Sequence, residues 1–376
     1  MPAPDKPLRI LHATRAPVGG IFRHIIDLAN GQAGRGHEVG IIADSLTGGE
    51  RADKALAEIA PRLKLGVHRL AIHREPWPTD FLVWLRFRSL IRQLKPDVMH
   101  GHGAKAGAFA RLRARANDTI RIYTPHGGSL HYPSSTFKGA LYSRLERALM
   151  NSTDLFLFES TFARDTYQRM IGTPKGLVRC VFNGVTADEF DPVPKADDAT
   201  DVVYVGEFRR IKGADLLVDA VARLHADGKP VTLTLAGDGE EMAALKAQVE
   251  RLGLSHSVRF IGHVKARHGF SRGRLLVVPS RGDSMPYVVI EAGAAGIPMV
   301  AANVGGIPEI FGTHNDALFA PGIVGAMADA IEIAMEDPEA ALARARALRE
   351  RIFLHFSQKA MVEGVLAGYR DAFANQ

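Results

Sequence analysis

Three stretches of this sequence combine the residue types and spacing that sugar-phosphate chemistry needs. The densest is 275–310, LLVVPSRGDSMPYVVIEAGAAGIPMVAANVGGIPEI, in which two carboxylates, Asp283 and Glu291, stand eight residues apart. Such a pair can accept hydrogen bonds from sugar hydroxyls. The backbone amides of 282–286 and of the helix start that follows suit an anion, because they lack intrahelical partners and the helix dipole favours negative charge. An ordinary βα loop carrying two solvated acids satisfies the same spacing. The second stretch is cationic: Arg209, Arg210 and Lys212 lie between Gly206 and Gly213 on a loop that feeds a helix. Positioned cations of this kind stabilise a diphosphate leaving group, and a solvated basic turn is the alternative. The third is Pro125-His126-Gly127-Gly128, which ends an apolar run. A histidine beside two glycines at a strand's carboxyl end is placed for substrate contact, or else caps its own loop.

The elements that position these groups repeat as strand, turn and helix. Short apolar runs at 8–13, 39–43, 66–72, 97–100, 120–124, 155–158 and 178–182 read as buried parallel strands. A second series begins at 202–205 and continues through 231–236, 258–261, 275–279 and 298–302. Helical spacing is clearest over 21–33, 81–94, 137–150, 161–170, 338–351 and 356–373. In doubly wound sheets ligands gather outside the carboxyl ends of the strands. That edge receives Gly19-Gly20, His102–Lys105, His126, 206–213, Gly237-Asp238-Gly239 and Asp283. The glycine pair after the first strand has the strand–turn–helix form of a phosphate cradle, although two glycines alone are a weak signal. His24 stands one turn into the helix behind it, as a cleft residue or a packed one. His102 and Lys105 read as lining the acceptor side. The expected fold class is therefore α/β, with two doubly wound parallel-sheet domains.

Length agrees, since 376 residues exceed the size at which single cores stop growing. The acidic, proline-bearing stretch DPVPKADDAT at 191–200 reads as the linker. We expect an N-terminal domain over 1–190 and a C-terminal domain over 191–355, with 356–376 returning to the first. Residues 1–190 hold 27 Lys and Arg against 17 Asp and Glu, net +10, whereas 191–376 hold 20 against 24. A basic first half suits an anionic partner or a merely basic surface. The helix at 81–94, FLVWLRFRSLIRQL, mixes Phe81, Trp84, Leu85 and Phe87 with Arg86, Arg88 and Arg92. It can lie on an anionic lipid surface or pack its apolar stripe on the sheet.

These features together resemble the retaining glycosyltransferases of family 4, which have the GT-B fold: two Rossmann-like domains facing across a cleft. The residues that carry the resemblance are Asp283, Glu291, the small residues at 292–296, the apolar run at 297–301 and Gly305-Gly306-Ile307-Pro308-Glu309. The first acid of the family pattern is usually Glu, and Asp283 is one methylene shorter. Thr124-Pro125-His126-Gly127 is similar to the family loop whose histidine contacts the reacting sugar. In G-R-L-x-x-x-K-G, Lys212 matches the family lysine while Glu207 occupies the arginine position, which leaves Arg209 or Arg210 to supply the guanidinium.

The resemblance further implies that Gly19 and Gly20 approach the donor, that Gly262, His263 and Val264 hold the nucleobase through main-chain groups, and that the backbone of Ser284, Met285, Pro286, Tyr287 and Val288 receives the diphosphate. Glu291 would hold the ribose hydroxyls, and Asp283 with His126 the donor sugar. It implies a UDP- or GDP-sugar as substrate, no cofactor and no metal. The acceptor would be a glycan or polyprenyl-linked molecule of cell-surface polysaccharide or lipopolysaccharide synthesis.

Other readings are a sugar-nucleotide epimerase of the same fold, which would need acids and bases around one sugar ring, and a non-catalytic binder of anions or a membrane surface. No nucleic-acid signature accompanies the basic half, and Gly237-Asp238-Gly239 lacks the third glycine of a dinucleotide fingerprint. His100-Gly101-His102 has no third Cys, His or carboxylate at sensible spacing, so no structural zinc site is expected there. A single cysteine, Cys180, and no apolar run of membrane-span length fit a reducing cytoplasm, with the inner membrane face as a working location.

Overall fold

Among the described residues every strand runs parallel to its neighbours, and each parallel pair needs a crossover, so strand and helix must alternate along the chain. The computed structural model describes residues 6–75, 77–112, 119–126 and 137–375. Gly127, Gly128, Arg113 and Arg115 lie outside them. The chain divides into two compact units, Met1–Gly184 with Gln358–Gln376, and Val185–Ser357.

The first unit is built on β1 (Arg9–Thr14), β2 (Glu38–Asp44), β3 (Gly66–Leu70), β4 (Val98–His102), β5 (Ile120–Thr124), β6 (Leu155–Phe158) and β7 (Leu177–Cys180), in the spatial order β3-β2-β1-β4-β5-β6-β7. Its helices are α1 (Gly19–Ala33), α2 (Gly49–Ile59), α3 (Asp80–Leu94), α4 (Ala104–Arg111), α5 (Phe137–Met150) and α6 (Thr161–Met170). The order reverses between β1 and β4, the switch point at which ligands bind in such sheets.

Alternation along the strands sorts the core into two layers. Ile10, Ile41 and Ile122 face a cluster that includes Ile25 and Leu28 of α1, while Leu11, Ile42 and Met99 face Val83 and Phe87 of α3. The helix α1 begins two residues earlier than its apolar spacing suggests. Gly19 turns the chain with φ +60° and already belongs to the helix, a conformation that L side chains rarely adopt. Only Val83 and Phe87 of α3 are buried; Phe81 and Leu82 are 62% and 58% exposed. The helix thus packs one apolar stripe on the sheet and leaves Phe81 and Leu82 exposed.

The second unit uses β8 (Thr200–Val205), β9 (Leu233–Ala236), β10 (Val258–Gly262), β11 (Gly273–Val278), β12 (Met299–Ala302) and β13 (Leu318–Phe319), ordered β10-β9-β8-β11-β12-β13. Its helices are α7 (Ala214–Ala226), α8 (Met242–Arg251), α9 (Ala266–Ser271), α10 (Tyr287–Ala294), α11 (Ile307–Phe311), α12 (Val324–Glu336) and α13 (Pro338–His355). The strands β9 and β12 are buried on both faces and so read as continuous apolar runs. Leu217, Val218 and Val221 of α7 pack with Leu233, Leu235 and Val277 on one face. The last helix, α14 (Gln358–Ala374), belongs to the first unit, where Met361, Val362, Val365 and Tyr369 join the core beside α1. Among the described residues no helix is long and apolar enough to cross a membrane.

Candidate functional site

In the second unit the loops after β8 and β11 are neighbours because the two strands pair directly. Lys212, in a single 3-10 turn at Arg210–Lys212, reaches across to Asp283, with Nζ 2.6 Å from Oδ2. Ser280 Oγ donates to the same oxygen at 3.3 Å. The pair is partly shielded, with side chains 28% and 13% exposed.

Two further contacts fix the loops to each other. Arg281 grips Asp215, at the start of α7, through two hydrogen bonds of 2.6 Å, and donates to the Arg210 carbonyl at 2.7 Å. Burial acts to raise the Asp215 carboxyl, but the Arg281 hydrogen bonds outweigh it and hold the group below the usual carboxylate range. Gly305 seals the floor: with φ +63°, a Cβ there would stand 1.6 Å from the Asp283 carbonyl oxygen, which accepts from the Gly306 amide at 3.1 Å. Glycine at 305, the first of the family-like Gly-Gly pair, is therefore needed for close backbone approach under Asp283.

The helix α10 starts after Pro286, whose side chain offers no cap, so the stretch from Ser284 and Met285 through Tyr287 and Val288 leads into a helix N-terminus beside Asp283 and its partner Lys212. Glu291 lies further along the same helix and is half-buried. Arg209 pairs with Glu207 at 3.5 Å and Arg210 with Asp215 at 3.4 Å, both with more than half of the side chain exposed. Gly262, with φ +70°, ends β10, where His263 is exposed and Val264 half-buried. Two strand spacings separate that corner from β8, about 10 Å.

The first unit gathers five histidines at the carboxyl edge of β1, β4 and β5. The register sets His12 against His100 and Thr14 against His102, and period-two alternation puts His12, His100 and His102 on the face covered by α1 and α14. His12 Nε2 lies 2.8 Å from Gln32 Oε1, and His12 Nδ1 lies 3.0 Å from His102 Nε2. His102 Nδ1 is 3.0 Å from His126 Nε2. His100 bonds the Tyr369 and Thr124 hydroxyls, each at 2.8 Å, and His24 Nδ1 meets Asn183 Oδ1 at 3.0 Å.

His126 itself adopts φ +49°, the left-handed region that a non-glycine residue enters at a cost. Burial drives all five imidazoles toward the neutral form, His12 down to about 4 and His126 to about 3, with His24, His100 and His102 well below their ordinary value.

Several expectations change here. His24 and His102 are 3% and 1% exposed and bonded within the unit, so neither lines an acceptor surface directly. Lys105 turns its ammonium to Asp80 at 2.8 Å and to the His73 and Glu75 carbonyls. The absence of a third imidazole near His100 and His102 holds along the chain but not in space. His12, His100 and His102 form one group of possible metal ligands and His24, His102 and His126 another, with ligating atoms within 4.8 Å. Neighbouring strands supply what local spacing could not. His100 has already committed both ring nitrogens to hydroxyls.

Sequence reading missed Gln32, Tyr369, Asn183 and the Asp215–Arg281 clamp. The available signal was polar residues inside apolar runs, His12 within RILHAT above all.

The model described as Glycosyltransferase Family 4 matches residues 18–189, and that described as Glycosyl transferases group 1 matches residues 199–337. The glycogen synthase of Mycobacterium tuberculosis is 26% identical over 383 residues, covering 94% of this chain and 92% of its own. Among solved structures, sucrose-phosphate synthase from Thermosynechococcus elongatus superposes with a TM-score of 0.81 at 23% identity, over 98% of this chain and 99% of that one. Anabaena HepE in complex with UDP-glucose superposes with a TM-score of 0.79 at 19% identity, over 97% and 100%. With both units matched in turn and the GT-B pair of parallel sheets in place, the chain belongs to the glycosyltransferases of the group 1 and family 4 type.

Proposed function

We propose that this glycosyltransferase moves a sugar from a nucleotide-diphosphate sugar to a glycan or polyprenyl-linked acceptor with retention of anomeric configuration, in cell-surface polysaccharide or lipopolysaccharide synthesis. The observation that carries the reading is the Lys212–Asp283 pair at the carboxyl edge of β8 and β11, beside the N-terminus of α10. An incoming diphosphate would take the Lys212 ammonium and the α10 amides. Asp283, released from the lysine, would accept from a sugar hydroxyl, Glu291 would accept from the ribose, and His126 would contact the sugar undergoing transfer.

In the displacement the C1–O bond to phosphate breaks while the acceptor oxygen bonds C1 on the same face. The acceptor proton passes to the departing phosphate oxygen, so no covalent nucleophile is assigned. Lys212 and the helix dipole supply the charge stabilisation that a metal provides in other transferases. Turnover should therefore be unchanged by excess chelator; loss of activity that a divalent ion restores would overturn the metal-free assignment.

The structure of Anabaena HepE with UDP-glucose favours a uridine donor. A thermal-shift panel of UDP, GDP, ADP, their sugars and NAD tests this. Stabilisation by one nucleoside diphosphate and not by NAD is expected, and no shift with any would contradict the reading. For the acceptor, Trp77, Phe81, Leu82 and Leu85 are each at least 40% exposed beside the exposed Arg74, Arg86 and Arg92. An apolar and cationic surface of this kind suits an anionic bilayer that carries a lipid-linked acceptor.

A further inference from the structure

We propose that His102, His12 and Gln32 are positioning residues that hold His126 in its Nε2–H tautomer, so that His126 offers Nδ1 to the substrate as a hydrogen-bond acceptor. The inference rests on the reading of His126 as a substrate contact. It follows from the order of donors and acceptors in the chain of rings. Gln32 Oε1 only accepts, so the His12 nitrogen 2.8 Å away, Nε2, carries the proton and His12 Nδ1 is a lone pair. His102 Nε2, 3.0 Å from that lone pair, must then donate, which leaves His102 Nδ1 as an acceptor. His126 Nε2, 3.0 Å from it, donates in turn, and the His126 Nδ1 lone pair faces outward from the chain.

The far end accommodates the same polarity. Gln32 Nε2 donates to the Tyr369 hydroxyl at 3.5 Å, which is placed to donate to His100 Nδ1 at 2.8 Å and leaves His100 Nε2–H for Thr124 Oγ1 at 2.8 Å. Turning the Gln32 amide over would reverse every proton from Thr124 to His126. One buried amide therefore sets the face that His126 presents.

The same chain is a poor proton wire. A proton entering at His126 would have to rest on an imidazolium at His12, which is 0% exposed and whose partner beyond is an amide. Burial keeps these rings neutral, so the arrangement orders tautomers and does not store charge.

Histidine-selective 15N NMR of the full-length protein, with His126 assigned by the loss of its signals in His126→Asn, reads which nitrogen bears the proton. A protonated Nε2 and bare Nδ1 are expected in the wild type, and a mixture of tautomers in His102→Leu. In the same variant kcat should fall about tenfold or more while the UDP dissociation constant is unchanged. His102→Asn, whose amide can accept from His126 and donate to His12, should recover most of the loss. A wild-type Nδ1–H tautomer overturns the proposal, as does purified protein carrying one equivalent of zinc that resists dialysis, since metal would then hold the nitrogens in place of protons. UDP that binds while His126 shows the wrong tautomer defeats this inference alone; wild-type protein that binds no nucleotide defeats the functional reading beneath it.

Discussion

Glu291→Ala is expected to lower kcat/KM by roughly 10²–10³ while the protein stays folded. A carboxylate that accepts from two ribose hydroxyls makes two charge-assisted hydrogen bonds, together about 3–4 kcal/mol at a partly shielded site. The side chain is half-buried on α10, an eight-residue helix whose packing rests on Val289, Ile290, Ala292 and Ala294. Alanine is the better helix former, so the helix persists. Steady-state kinetics with the donor identified by the nucleotide panel, together with thermal unfolding of the variant, separates the two effects. Near-normal transfer by a folded Glu291→Ala protein would remove this residue from the site.

The second large effect is on stability. Four buried imidazoles and the half-buried His126 stay neutral in the folded protein, and unfolding returns each to its ordinary value of 6.5. As pH falls through 6.5 the unfolded chain takes up protons that the folded chain refuses, so the contribution is complete above that pH and is lost on the way down to about 4. For His12 alone, whose folded value is about 4, this amounts to on the order of 3 kcal/mol; the other four act in the same direction. The thermal midpoint should drop steeply between pH 6.5 and 4.5, and His12→Gln should make the drop shallower. A midpoint that stays level over that range would show that the rings are charged or solvated.

What the sequence discloses and what it withholds divide along a physical line. The strands of both sheets and the placement of Lys212, Asp283 and the Gly305-Gly306 turn at the carboxyl edge can be read from local patterns, because buried strands write themselves as apolar runs, whereas the return of the last helix to the first unit follows only from the resemblance to the GT-B fold. The short β13 at Leu318–Phe319 escaped because two residues carry no periodicity. The histidine cluster was invisible for a different reason. Its members come from β1, α1, β4 and the end of β5, and only the register of parallel strands makes neighbours of residues 12, 102 and 126. Asp215 and Arg281, 66 residues apart, belong to the same class. Spacing along a chain reports the residues that share a helix face or a strand face, whereas a site assembled at a sheet edge depends on strand order.

Isothermal titration calorimetry of UDP, or of whichever nucleoside diphosphate the panel selects, against wild type and Lys212→Ala addresses the diphosphate grip itself. The substitution removes a cation and leaves the Asp283 carboxylate, formerly 2.6 Å from that cation, facing the incoming charge. Both changes act against binding, so the dissociation constant should rise by about 10²-fold, and Asp283→Ala in the same protein should restore part of it. An unchanged dissociation constant in a folded Lys212→Ala protein would mean that the nucleotide is held elsewhere.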